Sequence, residues 1–139
     1  MPRIPITMSE LPTRLEGMDD SIVYTGIIRS LRESPTEDKN GFPFLKMEME
    51  VIAPEQYRSK KVFDNYIPIP PSDFDGSDMA GAAYIMEYCR KLGRIAAAAR
   101  VTSDDTDDLI GAEIQFTITN EEYPEGSGDR RARPKEYLI

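Results

Sequence analysis

The sequence contains no histidine. That removes imidazole metal ligands and histidine acid–base chemistry. It contains one cysteine, Cys89, so there is no internal disulfide framework, and a reducing, cytoplasmic setting fits. No window approaches the ~18 continuous apolar residues that span a bilayer. The opening stretch, MPRIPITMSELP, is broken by prolines and lacks the apolar centre of a signal peptide. A phosphate-loop glycine pattern, a G-x-S-x-G elbow and a Cys/His pair are all missing, as is any internal repeat. These shortages point away from an enzyme, a metal or a cofactor, and toward a binding protein.

Positive charge is also scarce, with 17 Lys and Arg against 25 Asp and Glu, a net charge of −8. Taken alone, that speaks against a nucleic-acid partner. Distribution matters more than the sum. Acidic residues gather at Asp19 and Asp20, around Asp73 to Asp78, and at Asp104, Asp105, Asp107 and Asp108. The last run lacks the glycine and glutamate positions of a calcium loop and reads as a solvated turn. Cations gather elsewhere, at Arg58, Lys60 and Lys61, and again at Arg130, Arg131, Arg133 and Lys135.

What is present is one modest domain. The chain has 139 residues, 40% of them apolar, which is enough for a single core. Residues 1–20, with three prolines, read as an extended arm, and 21–139 as the domain. Ser21 to Leu31 is a β-branched first strand, with Gly26 marking a bulge or bend. Asn40-Gly41 is a turn signal. It leads into the clearest strand of the chain, Gly41 to Ile52. Leu45, Met47, Met49 and Val51 share one face there. Phe44, Lys46, Glu48 and Glu50 share the other, in line with Phe42.

Lys60 to Ile69 alternates again, with Val62, Asp64 and Tyr66 on one face and Phe63, Asn65 and Ile67 on the other. On this phase Phe63 packs in the core beside Ile67. Gly81 to Arg100 changes to a helical period, with Ile85, Tyr88, Cys89, Leu92, Ile95, Ala96 and Ala99 as the buried stripe. Ser77 or Asp78 is positioned to cap that helix, and Gly93 to kink it. Cys89 on the stripe reads as inert core. Ala112 to Thr119 is a fourth strand, with Ile114, Phe116 and Ile118 inward, and Arg131 to Ile139 an irregular fifth.

Three strands, one helix and two strands is the element order of the OB-fold, a mainly β, five-stranded Greek-key barrel with one helix between strands three and four. In that architecture a ligand crosses strands two and three, between the first hairpin loop and the loop joining strands four and five. Those positions hold Phe42, Phe44, Lys46, Lys60, Lys61, Tyr66, Arg130, Arg131 and Arg133, and the connector before strand three adds Tyr57 and Arg58. Rings there would stack on bases, for roughly 1–3 kcal/mol each, and cations would meet phosphates. Tyr57 and Tyr66 can equally bury their rings and leave only a hydroxyl wet.

Gly41-Phe42 opening an alternating strand, Tyr57-x-x-Lys60-Lys61-Val62-Phe63-Asp64-Asn65, the Leu92-Gly93 helix and Asp107-Asp108-Leu109-Ile110-Gly111 before a strand carry a resemblance. The sequence resembles phage-encoded OB-fold single-stranded DNA-binding proteins over Tyr24 to Leu138. The resemblance implies single-stranded DNA as partner in phage DNA replication or recombination, no cofactor, and the cytoplasm of a bacterial host. It leaves RNA, a homo-oligomer and replication or recombination proteins open as further partners. Many such proteins carry an acidic tail that recruits partners; this sequence departs from that pattern, with Arg133-Pro134-Lys135-Glu136-Tyr137-Leu138-Ile139 as its last residues. The alternative reading is an acidic protein–protein adaptor or DNA mimic, motivated by the net charge.

Overall fold

The structure is a computed structural model that describes residues 1–75 and 79–139. Ser77 and Asp78, the expected helix cap, lie outside the described residues. The described residues form five strands: β1 (Tyr24–Glu33), β2 (Phe44–Ala53), β3 (Lys61–Pro68), β4 (Glu113–Glu122) and β5 (Arg130–Leu138). Two helices, α1 (Met79–Tyr88) and α2 (Arg90–Ala99), lie between β3 and β4. The strands form one antiparallel sheet in the order β3-β2-β1-β4-β5.

The alternation of β2 holds throughout. Leu45, Met47, Met49 and Val51 are buried, while Phe44, Lys46, Glu48 and Glu50 are not. Tyr24 and Ile28 of β1, Val62 and Ile67 of β3, and Ile114, Phe116 and Ile118 of β4 join them in one core, sealed by Ile95 of α2. Gly26 sits at a register shift between β1 and β2. A Cβ there would lie 2.9 Å from Phe116 Cε1, so only glycine lets the Phe116 ring cross β1 at this point.

Two expectations about the elements are corrected. The helical stretch is not one helix kinked at Gly93. It breaks at Cys89, and Gly93 lies inside α2 with open space around it. The break serves two sets of contacts. Tyr88 at the end of α1 stacks on Phe42 and reaches Asp38 in the β1–β2 loop, while Ile95 of α2 enters the core. Second, the phase of β3 changes midway. Two steps along β2, from Leu45 to Met47, span three along β3, from Ile67 to Asp64. The extra residue is a bulge. Phe63 faces outward opposite Glu48 ahead of the bulge, and the bulge brings Ile67 inward with Val62 and Asp64 and turns Tyr66 outward, the two rings being 42% and 41% exposed. Phe63 is therefore surface, not core.

The sheet does not close by hydrogen-bonded pairing: β3 and β5 are its edges, with no ladder between them. Pro134 removes a backbone donor from β5, and the β4–β5 register shifts opposite it. The edges are joined instead by side chains. The Tyr137 hydroxyl donates to Asp64 Oδ2 at 2.6 Å in the interior.

Candidate nucleic-acid interface

Where β3 and β5 approach, Lys60 and Lys61 face Arg130 and Arg131 across a cleft of about 460 Å³. Each pair is adjacent in sequence and opens its strand or its approach. The third side of the cleft is the N-terminal arm, which contributes Arg14, Leu15 and Glu16. Phe63, on the outer face of β3 opposite Glu48, lies in the same cleft. Five cations, one exposed ring and the carboxylate of Glu16 thus line the cleft, with Glu48 of β2 at its edge opposite Phe63. Lys61 pairs loosely with Glu48 at 3.7 Å, and Arg14 with Glu16 at 3.4 Å. Among the described residues, Lys60, Arg130 and Arg131 pair with no carboxylate. Unpaired cations around an apolar ring can hold phosphates and the flat face of a base or sugar.

The other candidate residues are placed differently. Phe42 is buried, its ring stacked on Tyr88 at 4.1 Å between centroids, so its face is not free for a base. Phe44 packs edge-on against Tyr66 at 5.3 Å. The Tyr66 hydroxyl donates to Asp38 Oδ2 at 2.6 Å, and Lys91 Nζ sits 5.9 Å over the Tyr66 ring. Tyr57 is half-buried, edge-on to Tyr24 at 5.5 Å, and its hydroxyl accepts the Asp19 N–H. Arg133 is held by Glu121 at 3.1 Å and Arg58 by Glu55 at 3.3 Å. Lys46 is exposed on β2, opposite Arg32 of β1, outside the cleft lining. The rings of Phe42, Phe44 and Tyr66 therefore do not share a trough with the arginines of β5. They form a second cluster around Asp38.

That cluster is a hydrogen-bonded knot. Asp38 Oδ1 accepts the N–H groups of Asn40 and Phe42 at 2.8 and 2.9 Å. Its Oδ2 accepts the hydroxyls of Tyr66 and Tyr88. Burial pushes the Asp38 carboxyl up, but these donors outweigh it and hold the group down at about 2. The Tyr66 hydroxyl moves the opposite way, raised by burial and by the bond to Asp38. Every polar atom of Asp38 is thereby used in shaping the loop, which argues for a structural role. Burial also raises the Cys89 thiol, which leaves little reactive thiolate.

Of the cations and rings that line the cleft, sequence reasoning missed two. Phe63 was hidden by the bulge, which inverts the strand's phase after Asp64. Arg14 lies in a segment with no period to read. Among the described residues, no cluster of acidic and cysteine side chains is arranged to hold a metal ion, and no helix is long and apolar enough to cross a membrane. No family model matches this chain, and no curated protein matches it.

Proposed function

We propose that the protein binds single-stranded nucleic acid, single-stranded DNA in the first place, through the cleft between β3, β5 and the N-terminal arm. The reading is supported above all by one observation: in a chain of net charge −8, Lys60, Lys61, Arg130, Arg131 and Arg14 converge around the exposed ring of Phe63. Charge of one sign concentrated against the overall balance is an electrostatic footprint for an anion. Phe63 would supply one stacking surface and the cations the phosphate contacts.

We further read the architecture as an open relative of the OB-fold. The strand order β3-β2-β1-β4-β5 and the helices between β3 and β4 support this, as does the Tyr137–Asp64 bond across the unpaired edges. The resemblance to phage single-stranded DNA-binding proteins then suggests a role in DNA replication or recombination, by binding without chemistry.

The test is an anisotropy titration with a labelled, unstructured oligonucleotide at several salt concentrations. Three to five phosphate contacts predict a slope of log K against log salt of about −2 to −3.5. No binding at low salt would abandon the reading. It would favour the alternative of an adaptor for a basic protein, for which the surface bearing Glu33, Glu37 and Asp73 is the natural face.

A further inference from the structure

The N-terminal arm is held against the cleft by specific bonds. Among the described residues, the hydrogen bonds of residues 1–11 are local, and Ile4, Ile6, Met8 and Leu11 are exposed. From Leu15 onward the arm is pinned. The Leu15 N–H donates to Asp129 Oδ1 at 2.8 Å, and the Arg130 N–H to the Leu15 carbonyl at 2.9 Å. Asn120 then clamps Met18 from both sides. Its Oδ1 accepts the Met18 N–H at 3.0 Å, and its Nδ2 donates to the Met18 carbonyl at 2.7 Å. Between the two anchors lies Gly17, at a φ of 77°. A Cβ there would stand 2.5 Å from Asn120 Oδ1 and 3.3 Å from Arg130 Cβ. Glycine is thus what lets the arm lie this close to β4 and β5.

The consequence lies in what this docking presents. It sets Arg14 beside the cleft with Lys60, Lys61, Arg130 and Arg131. Among the described residues Arg14 has one partner, Glu16, on the same arm, and both side chains are well exposed at 62% and 77%. A phosphate can displace such a loose pair. Without the arm, the cleft would be an open shoulder between two strand edges.

We propose that the docked arm is a wall of the binding groove and that Arg14 contacts phosphate, so that bound strand and docked arm hold each other in place. This rests on the nucleic-acid reading above. The coupling is reciprocal: a strand that favours the docked arm is itself bound more tightly when the arm is docked.

The test compares wild-type protein, Gly17→Ala and Arg14→Ala, each binding a short oligothymidylate at low salt. Trypsin cleavage after Arg14, which lies in the arm, reads its accessibility. In the wild type, oligothymidylate should slow that cleavage. Gly17→Ala should be cleaved fast with or without it. Both variants should lose roughly three- to tenfold in affinity. Arg14→Ala alters one exposed side chain, so it decides the matter even where Gly17→Ala disturbs folding. A wild type that binds, beside an Arg14→Ala variant of equal affinity and a cleavage rate that ignores the oligonucleotide, overturns this inference alone. A wild type that does not bind overturns the nucleic-acid reading and this inference together.

Discussion

The hydroxyl of Tyr137 donates a 2.6 Å hydrogen bond to Asp64, 73 residues earlier in the chain, and so ties together the two unpaired edges of the sheet. Asp64 is 7% exposed and also accepts Lys91 Nζ at 3.2 Å. Burial, and then the Asp64 charge beside it, raises the Tyr137 hydroxyl far above its ordinary range. The hydroxyl therefore remains a donor at neutral pH. Tyr137→Phe should leave one carboxylate oxygen short of its donor and cost about 1–3 kcal/mol. A denaturant melt checks this: an unchanged midpoint would mean that the edges are held by packing alone.

The two phenylalanines that sequence pattern assigns to opposite environments exchange them: Phe42 is buried and Phe63 exposed. Phe63→Ala removes an exposed ring from the cleft and should weaken oligonucleotide binding, by roughly 1–3 kcal/mol if the ring stacks on a base, with little change in melting temperature. Phe42→Ala removes a buried ring stacked on Tyr88 and should cost about 3 kcal/mol of stability. Binding and melting measured on both variants separate the roles. Equal stability losses would place Phe63 in the core after all.

Acid should loosen the Asp38 knot. In the folded protein its carboxyl is depressed from 3.8 to about 2. A depressed folded-state value contributes stability that is fully present above the unfolded value and is lost as pH falls through the folded one. The Asp38 contribution is therefore intact above about pH 5 and declines toward about pH 2. Other carboxylates titrate in the same window, so the difference from Asp38→Asn is what matters. The wild type should lose its advantage over Asp38→Asn as the pH is lowered across that range, and a gap that stays constant would contradict the assignment.

Gly26→Ala tests the crossing of β1 by Phe116. The added methyl would meet Phe116 Cε1 at 2.9 Å, and the backbone or the ring must shift to admit it. A loss of about 1–3 kcal/mol is expected, read as a lower melting temperature. A neutral result would show slack in the core at that point.

Much of this architecture was legible in the residues. The period of two from Leu45 to Val51, the β-branched run around Ile28 and the stripe through Leu92 and Ile95 all report which side chains are buried, because burial repeats with the backbone. The break at Cys89 was not legible. It depends on Tyr88 reaching Asp38, fifty residues away, and a local pattern carries no such information. The same holds for the β3 bulge, which exists only in register with β2. The site was half legible for the same reason. The clusters Lys60-Lys61 and Arg130-Arg131 stand out in the chain, but their meeting across the cleft, with Phe63 and Arg14 beside them, is a product of the fold.

The central claim is that these cations act together on one anionic strand. The direct measurement is the affinity of a short oligothymidylate, at low salt, for the wild type and for the double variant Lys60→Glu, Arg131→Glu. Both side chains are exposed, so folding should survive, as a melting curve will check. The account predicts salt-sensitive binding by the wild type, a loss of at least about a hundredfold in the double variant, and a flatter salt dependence of whatever binding remains. Wild-type binding that the double variant retains in full would contradict it.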